Sequence, residues 1–236
     1  MSETRTVIRE MLLAGGLLLT FALVGVGIVS LTYEKTLERI EDNRRLALQR
    51  ELQALLPPLM HDNAMYEDTL QVRHATLLGS DEPLTVYRAR MDDEPVAAVL
   101  TVVAPDGYSG PIRLLVAIDA TDETIRGVRV VSHQETPGLG DAIEHRRGAW
   151  ITRFRGHGLD EPTREGWRVR VDGGSFDQIT GATVTARAVV RAVRNALLYF
   201  RNNRETLFTQ TDDFRIPEPV ADKVADKPPA ESEEEP

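Results

Sequence analysis

Apolar and charged positions divide the chain into regions of distinct pattern. No charged residue lies between Glu10 and Glu34, and the Met11–Tyr33 stretch is rich in Leu, Val and Gly. As a helix it would span roughly 34 Å, enough to cross the hydrocarbon core of a lipid bilayer. The run is longer than the roughly 7–15-residue apolar region of a cleaved signal peptide, and Gly25-Val26-Gly27 is a poor cleavage site, so a retained anchor is expected. Beyond it Leu37, Ile40, Leu48, Leu52 and Leu55 recur at helical spacing among charges, which predicts a juxtamembrane helix ending at Pro57-Pro58.

From Leu84 the pattern changes to β-branched runs bounded by turn residues: Leu84–Ala89, Val96–Val103, Ile112–Ile118 and Ile125–Ser132. Their connections, Met91–Glu94, Pro105–Gly110 and Thr121–Glu123, are too short for helical crossovers, so neighbouring strands are expected to be antiparallel. A short helix at Asp141–Arg147 and a further strand at Trp167–Val171, leading into the turn Asp172-Gly173-Gly174-Ser175, complete this region. A longer helix then runs from Thr183 to around Asn203. Val184, Ala188, Val189, Ala192, Val193, Ala196, Leu197 and Phe200 form its apolar face, opposite Arg187, Arg191, Arg194 and Asn195. It is expected to lie against the sheet. The pattern therefore predicts an α+β protein: residues 1–10 ahead of a single transmembrane helix at 11–33, a juxtamembrane helix at 34–56, and a largely antiparallel sheet domain with packed helices at 57–216. The remaining residues 217–236 are Pro-, Ala- and acid-rich and are expected to be a disordered tail.

Composition narrows the chemistry. Cysteine is absent, which excludes disulfides, thiolate zinc sites and Cys-ligated iron–sulfur clusters, so any electron transfer here needs an organic cofactor. The formal charge is -9, but seven acids in Pro217–Pro236 stand against only Lys223 and Lys227. The rest of the chain is mildly acidic, with neither a basic stripe nor a nucleic-acid-binding motif, and nucleic acid is not an expected partner. Arg5 and Arg9 on one side of the anchor face Lys35, Arg39, Arg44 and Arg45 on the other, a count that does not by itself favour a cytoplasmic N-terminus.

Two segments carry candidate chemistry. Asp177-Gln178-Ile179-Thr180-Gly181-Ala182-Thr183-Val184-Thr185 sits where a turn hands over to the amphipathic helix. An N-cap hydroxyl would account for Thr180 or Thr183, but not for the Gly-Ala pair between them, which leaves the backbone open to a bulky group. Such a helix start also presents unpaired N–H donors that suit a phosphate. The second segment is Glu135-Thr136-Pro137-Gly138-Leu139-Gly140, after a strand. Its two glycines lack the third of a dinucleotide-binding loop, because Ile143 stands there. Gly138 and Gly140 would let backbone approach a planar ring, with Glu135 and Thr136 offering polar contacts. His133 and Glu135 lack a third ligand at usable spacing, so no metal site is expected. Trp150 and Phe154, four residues apart, are expected in the core.

Asp177–Thr183 resembles the flavinylation motif Asp-x-x-Ser/Thr-Gly-Ala-Thr of proteins that carry FMN as a phosphoester on the last threonine, as in the Nqr and Rnf respiratory complexes. Glu135–Gly140 resembles the second signature of that FMN-binding domain, a loop that closes over the flavin. Gly107-Tyr108-Ser109-Gly110-Pro111-Ile112 is similar to the G subunits of the Rnf ion-translocating ferredoxin:NAD oxidoreductase complex. The resemblance implies FMN joined covalently to Thr183, with Asp177, Thr180, Gly181, Ala182, Glu135, Thr136, Gly138, Leu139 and Gly140 forming its site. It implies a separate flavin transferase that uses FAD as donor and recognises the acid matching Asp177. The partners implied are the other Rnf subunits, and the location is the bacterial inner membrane with a cytoplasmic N-terminus and a periplasmic domain. Such a subunit carries electrons without a catalytic cycle of its own. The alternatives are the C subunit of the homologous sodium-translocating NADH:quinone reductase and a non-redox, membrane-anchored assembly module.

Overall fold

The structure, a computed structural model, describes residues 2–210; the expected tail at 217–236 lies outside the described residues. The N-terminal helix α1 (Ser2–Leu55) runs without a break through both segments expected to be helical. Within it Met11–Tyr33 has a mean hydropathy of 2.4 and none of it is buried, so it is long and apolar enough to cross a membrane. Every residue from Met11 to Tyr33 is exposed, Leu12, Leu18 and Phe21 among them.

The remainder of the described chain forms a second compact unit beginning at Leu52. Its centre is a five-stranded antiparallel meander of β1 (Thr69–His74), β2 (Ser80–Met91), β3 (Glu94–Ala104), β4 (Ile112–Asp119) and β5 (Ile125–Ser132), paired in chain order. The β2–β3 turn places Asp92 and Asp93 at φ of 52° and 65°, the left-handed pair that matches strand twist in a two-residue hairpin. Register aligns Leu70, Val86, Leu100, Val116 and Val128 in one row across the sheet, every one buried. Helix α3 (Thr183–Thr209) packs on β3 and β4. The opposite face carries the row Tyr87, Val99, Ala117 and Gly127, where Leu55 approaches so closely that a Cβ on Gly127 would lie 2.8 Å from Leu55 Cδ2. Covering both faces explains why β3 and β4 read as almost unbroken apolar runs rather than alternating ones.

Several local expectations differ from the structure. Strand β1 and the short helix α2 (Ala75–Leu78) have no counterpart in the expected pattern; β1 turns only Leu70, Val72 and His74 inward among polar neighbours, and His74 Nδ1 then caps α2 by accepting from the Leu77 N–H at 3.1 Å. Trp167–Val171 is not a strand. Only Val169 bridges Phe176, and Arg170–Asp172 forms a 3-10 turn. The Gly173-Gly174 turn doubles the chain back so tightly that a Cβ on Gly174 would meet the Arg168 carbonyl oxygen at 2.0 Å. Asp141–Arg147 holds one 3-10 turn, Gly140–Ile143, because the Asp141 carboxylate folds back to accept from the Gly138 N–H at 2.8 Å and Glu144 is already extended. Helix α3 continues to Thr209, past the expected end, and Val184 of its expected apolar face is 43% exposed.

Candidate functional site

The site is built around the start of α3. The chain enters the helix through a turn closed by the Ala182 N–H to the Ile179 carbonyl at 2.9 Å, with Gly181 at φ 79°. Ala182 is the N-cap residue and no side chain caps the helix, so neither Thr180 nor Thr183 plays that role. The amides of Thr183, Val184 and Thr185 therefore have no partner within the helix. Thr183 is its first residue and is half-buried; Thr180 and Gly181 are exposed, and Ala182 is buried.

The Glu135–Gly140 loop comes to this same point. A Cβ on Gly181 would lie 2.9 Å from Leu139 Cδ2, so the motif glycine is required twice, by its left-handed backbone and by the side chain against it. Gly138, at φ 80°, faces open space, while Thr136 and Leu139 are exposed. Glu135 is 4% exposed and turned inward: Oε1 accepts from the Ser109 N–H at 3.0 Å and Oε2 from the Thr185 hydroxyl at 2.5 Å. Gly140 packs against that carboxylate. The Gly107–Gly110 loop, with exposed Tyr108, is thereby drawn to the helix start. All three segments singled out in the sequence meet here.

Asp177 anchors the approach to the helix. Its carboxylate is paired with Arg153 and, at 2.8 Å, with Arg170, and its carbonyl accepts from Trp150 Nε1 at 2.7 Å. Trp150 packs edge-on against fully buried Phe154, which continues into Trp167 and Phe176. The aromatic pair expected in the core thus also fixes the motif acid. One turn into α3, Arg187 bonds both oxygens of Asp172 at 2.6 and 2.7 Å and holds that carboxyl below the usual carboxylate range. His133 is not aimed at a ligand: its Nδ1 accepts from the Glu135 N–H at 3.0 Å, and its Nε2 meets Glu144 at 2.9 Å. Sequence reasoning misses the bonds of Ser109, Thr185, Arg153 and Arg170: the partners of the first three lie far away along the chain, and no spacing marks the nearby Arg170–Asp177 pair.

The arrangement fits a flavin mononucleotide. An uncapped helix start with a half-buried hydroxyl suits its phosphate. Exposed Leu139, Val184 and Tyr108, with open space beside Gly138, provide apolar surface for a ring.

Residues 107–198, which contain all three segments, match the FMN-binding domain family, and residues 1–55 match the RnfG N-terminal region. A Shewanella loihica protein, named as the G subunit of an ion-translocating oxidoreductase complex, is 45% identical over 208 residues, covering 88% of this chain and 98% of the relative. This chain belongs to that G-subunit family. Its relative of the same name in Pseudomonas aeruginosa is 48% identical over 203 residues, 86% of this chain and 92% of that protein. Membership of the family decides against the C-subunit reading. A crystal structure of Shewanella oneidensis NqrC matches at 22% identity and a TM-score of 0.43, over 63% of this chain and 73% of that one.

Proposed function

We propose that the chain is the membrane-anchored, electron-carrying G subunit of an Rnf-type ion-translocating oxidoreductase, with FMN held as a phosphoester on the Thr183 hydroxyl. One observation carries the reading. Thr183 opens a long helix whose first amides have no side-chain cap, at a point where the space beside Gly138 is open and Leu139 and Val184 present exposed apolar surface. FMN supplies one- or two-electron chemistry when bound, and the protein fixes its position and surroundings.

In this reading Thr183 provides the esterified oxygen. The free N–H groups of Thr183–Thr185 and the positive end of the α3 dipole stabilise the phosphate charge. Thr180, Gly181 and Ala182 form the turn that presents Thr183, and Thr136, Gly138, Leu139 and Gly140 form the loop beside the ring. Asp177, displayed at the edge of the site by Trp150, Arg153 and Arg170, is the acid read by a separate flavin transferase. Met11–Tyr33 anchors the chain in the inner membrane, the sheet domain is periplasmic, and the other subunits of the complex are its partners. The family match favours this over a non-redox assembly module, since it spans the FMN-binding domain.

The test is mass spectrometry of protein co-expressed with the transferase. Wild type is expected to carry one FMN, less one water, on the peptide containing Thr183, and Thr183→Ala none. Flavin retained covalently in Thr183→Ala would move the site to another hydroxyl. For topology, a reporter fused after Ile216 is expected to be active in the periplasm; activity in the cytoplasm would reverse the orientation.

A further inference from the structure

Glu135 lies in the loop that faces the site, yet its side chain is almost wholly buried and both carboxylate oxygens are committed. One receives the Ser109 amide; the other receives the hydroxyl of Thr185, which is fully buried. The surroundings are shaped to this carboxylate. A Cβ on Gly107 would lie 2.8 Å from Oε1, and one on Gly140 2.7 Å from Oε2. The Glu135 N–H is itself held by His133, which Glu144 holds in turn. One side chain therefore ties the Tyr108 loop and the Leu139 loop to the first turn of α3. Thr185 lies about 200° around the helix axis from Thr183, so Glu135 grips the side of α3 turned away from the attachment hydroxyl.

We propose that Glu135 is a positioning residue of the flavin site: it fixes the two loops to α3 through the Ser109 amide and the Thr185 hydroxyl, and acts on bound flavin through those bonds rather than by touching the ring. The functional half of this statement rests on the FMN reading above; the mechanical half does not. Losing a buried hydrogen bond of this kind is expected to raise local opening about tenfold or more.

The experiment uses the full-length chain, matured with the transferase, as wild type, Thr185→Val, Glu135→Ala, the double variant and Glu135→Gln. Thr185→Val keeps the buried shape and removes the donor. Amide exchange at Ser109, which Thr185 does not touch, is expected to quicken about tenfold or more in Thr185→Val. The flavin midpoint potential is expected to shift in the same direction in Thr185→Val and Glu135→Ala, with the double variant shifting no further than the larger single, because both remove one shared bond. Glu135→Gln, whose amide can still accept from Ser109 and donate to Thr185 Oγ1, is expected to recover exchange protection. Unchanged Ser109 exchange in Thr185→Val would overturn the proposal. A wild-type potential in Thr185→Val beside a shifted one in Glu135→Ala would also overturn it, by showing direct ring contact. Should Glu135→Ala not fold, the exchange test on Thr185→Val still decides. If wild type carries no covalent flavin, the FMN reading fails, while the exchange coupling still reads the link.

Discussion

At its C-terminus α3 is gripped by side chains from β2, whereas at its N-terminus no side chain caps it. Arg88 donates to the carbonyls of Gln210 at 2.5 Å and Leu207 at 3.5 Å, and Arg90 to that of Phe208 at 2.8 Å while lying over the Phe208 ring. Asp68 holds both arginines, at 2.5 and 2.9 Å. The orphan carbonyls and negative dipole end of the helix thus meet cations. At the other end the orphan N–H groups and positive dipole end are left facing the proposed phosphate position. A helix finished only for stability would be closed at both ends. Fastening one end lets the fold tolerate unsatisfied backbone groups at the other.

The largest expected effect follows at the fastened end. Arg88 is buried, so Arg88→Ala removes the donor to the helix-end carbonyls and unbalances Asp68, and is expected to cost about 3 kcal/mol or more. Urea unfolding measures it. A loss below about 1 kcal/mol, the range of an exposed ion pair, would show that the C-terminal end is no firmer than the other and remove the contrast.

This contrast also marks what the sequence can disclose. The amphipathic α3 is legible because its pattern is a local periodicity, the anchor and the antiparallel sheet because apolar runs and short connections are local features of the chain, and the threonine motif because it is one continuous stretch. The grip of Arg88 and Arg90 on α3 joins positions about 120 residues apart, and Glu135 reaches 50 residues to Thr185. Such links leave no periodic trace. The sequence pairs Glu135 with Thr136 as a polar contact for a ligand; nothing in the residue type signals that a Ser109 amide and a Thr185 hydroxyl wait inside. The false strand at Trp167–Val171 has a similar origin, since Trp167 packs into the aromatic cluster, Val171 is exposed, and among the described residues Val169 makes only an isolated bridge to Phe176.

At the open end the two left-handed glycines offer a graded test. Gly181→Ala forces φ 79° on a residue with a Cβ and drives that Cβ toward Leu139, so about 1–3 kcal/mol is expected, along with reduced flavin attachment. Gly138→Ala meets only the backbone cost, about 1–2 kcal/mol, because nothing lies near its Cβ. Equal losses in thermal unfolding would mean that the Leu139 contact does not constrain the site.

A smaller effect is expected from pH. Hydrogen bonds from Arg187 hold Asp172 below the usual carboxylate range. A carboxyl depressed in the folded state contributes stability above its unfolded pKa and loses it as pH falls through the folded value. The pair is solvent-exposed, so its share of the acid limb is expected to be slight and to shrink with salt. NMR titration is expected to place the Asp172 midpoint below that of an ordinary aspartate, and Arg187→Gln to return it to that range. An unmoved midpoint in Arg187→Gln would exclude the guanidinium as the cause.

The smallest stability change is expected at the residue with the largest functional one. A threonine that caps a helix loses about 0.5–2 kcal/mol on truncation to alanine. Thr183 makes no cap bond; it occupies the first helical position, where alanine is the better helix former. Thr183→Ala is therefore expected to leave unfolding of the flavin-free protein within about 0.5 kcal/mol of wild type, or slightly stabilised, while removing covalent flavin entirely. The two measurements must be made on the same preparations, because attached flavin that binds only the folded state would add stability to the wild type and imitate a structural role. A loss near 2 kcal/mol in flavin-free protein would show that the hydroxyl does satisfy the helix start, and that this end is closed by the same logic as the other. Unchanged stability with complete loss of attachment would leave Thr183 with no structural duty, held at the mouth of α3 for the bond it makes.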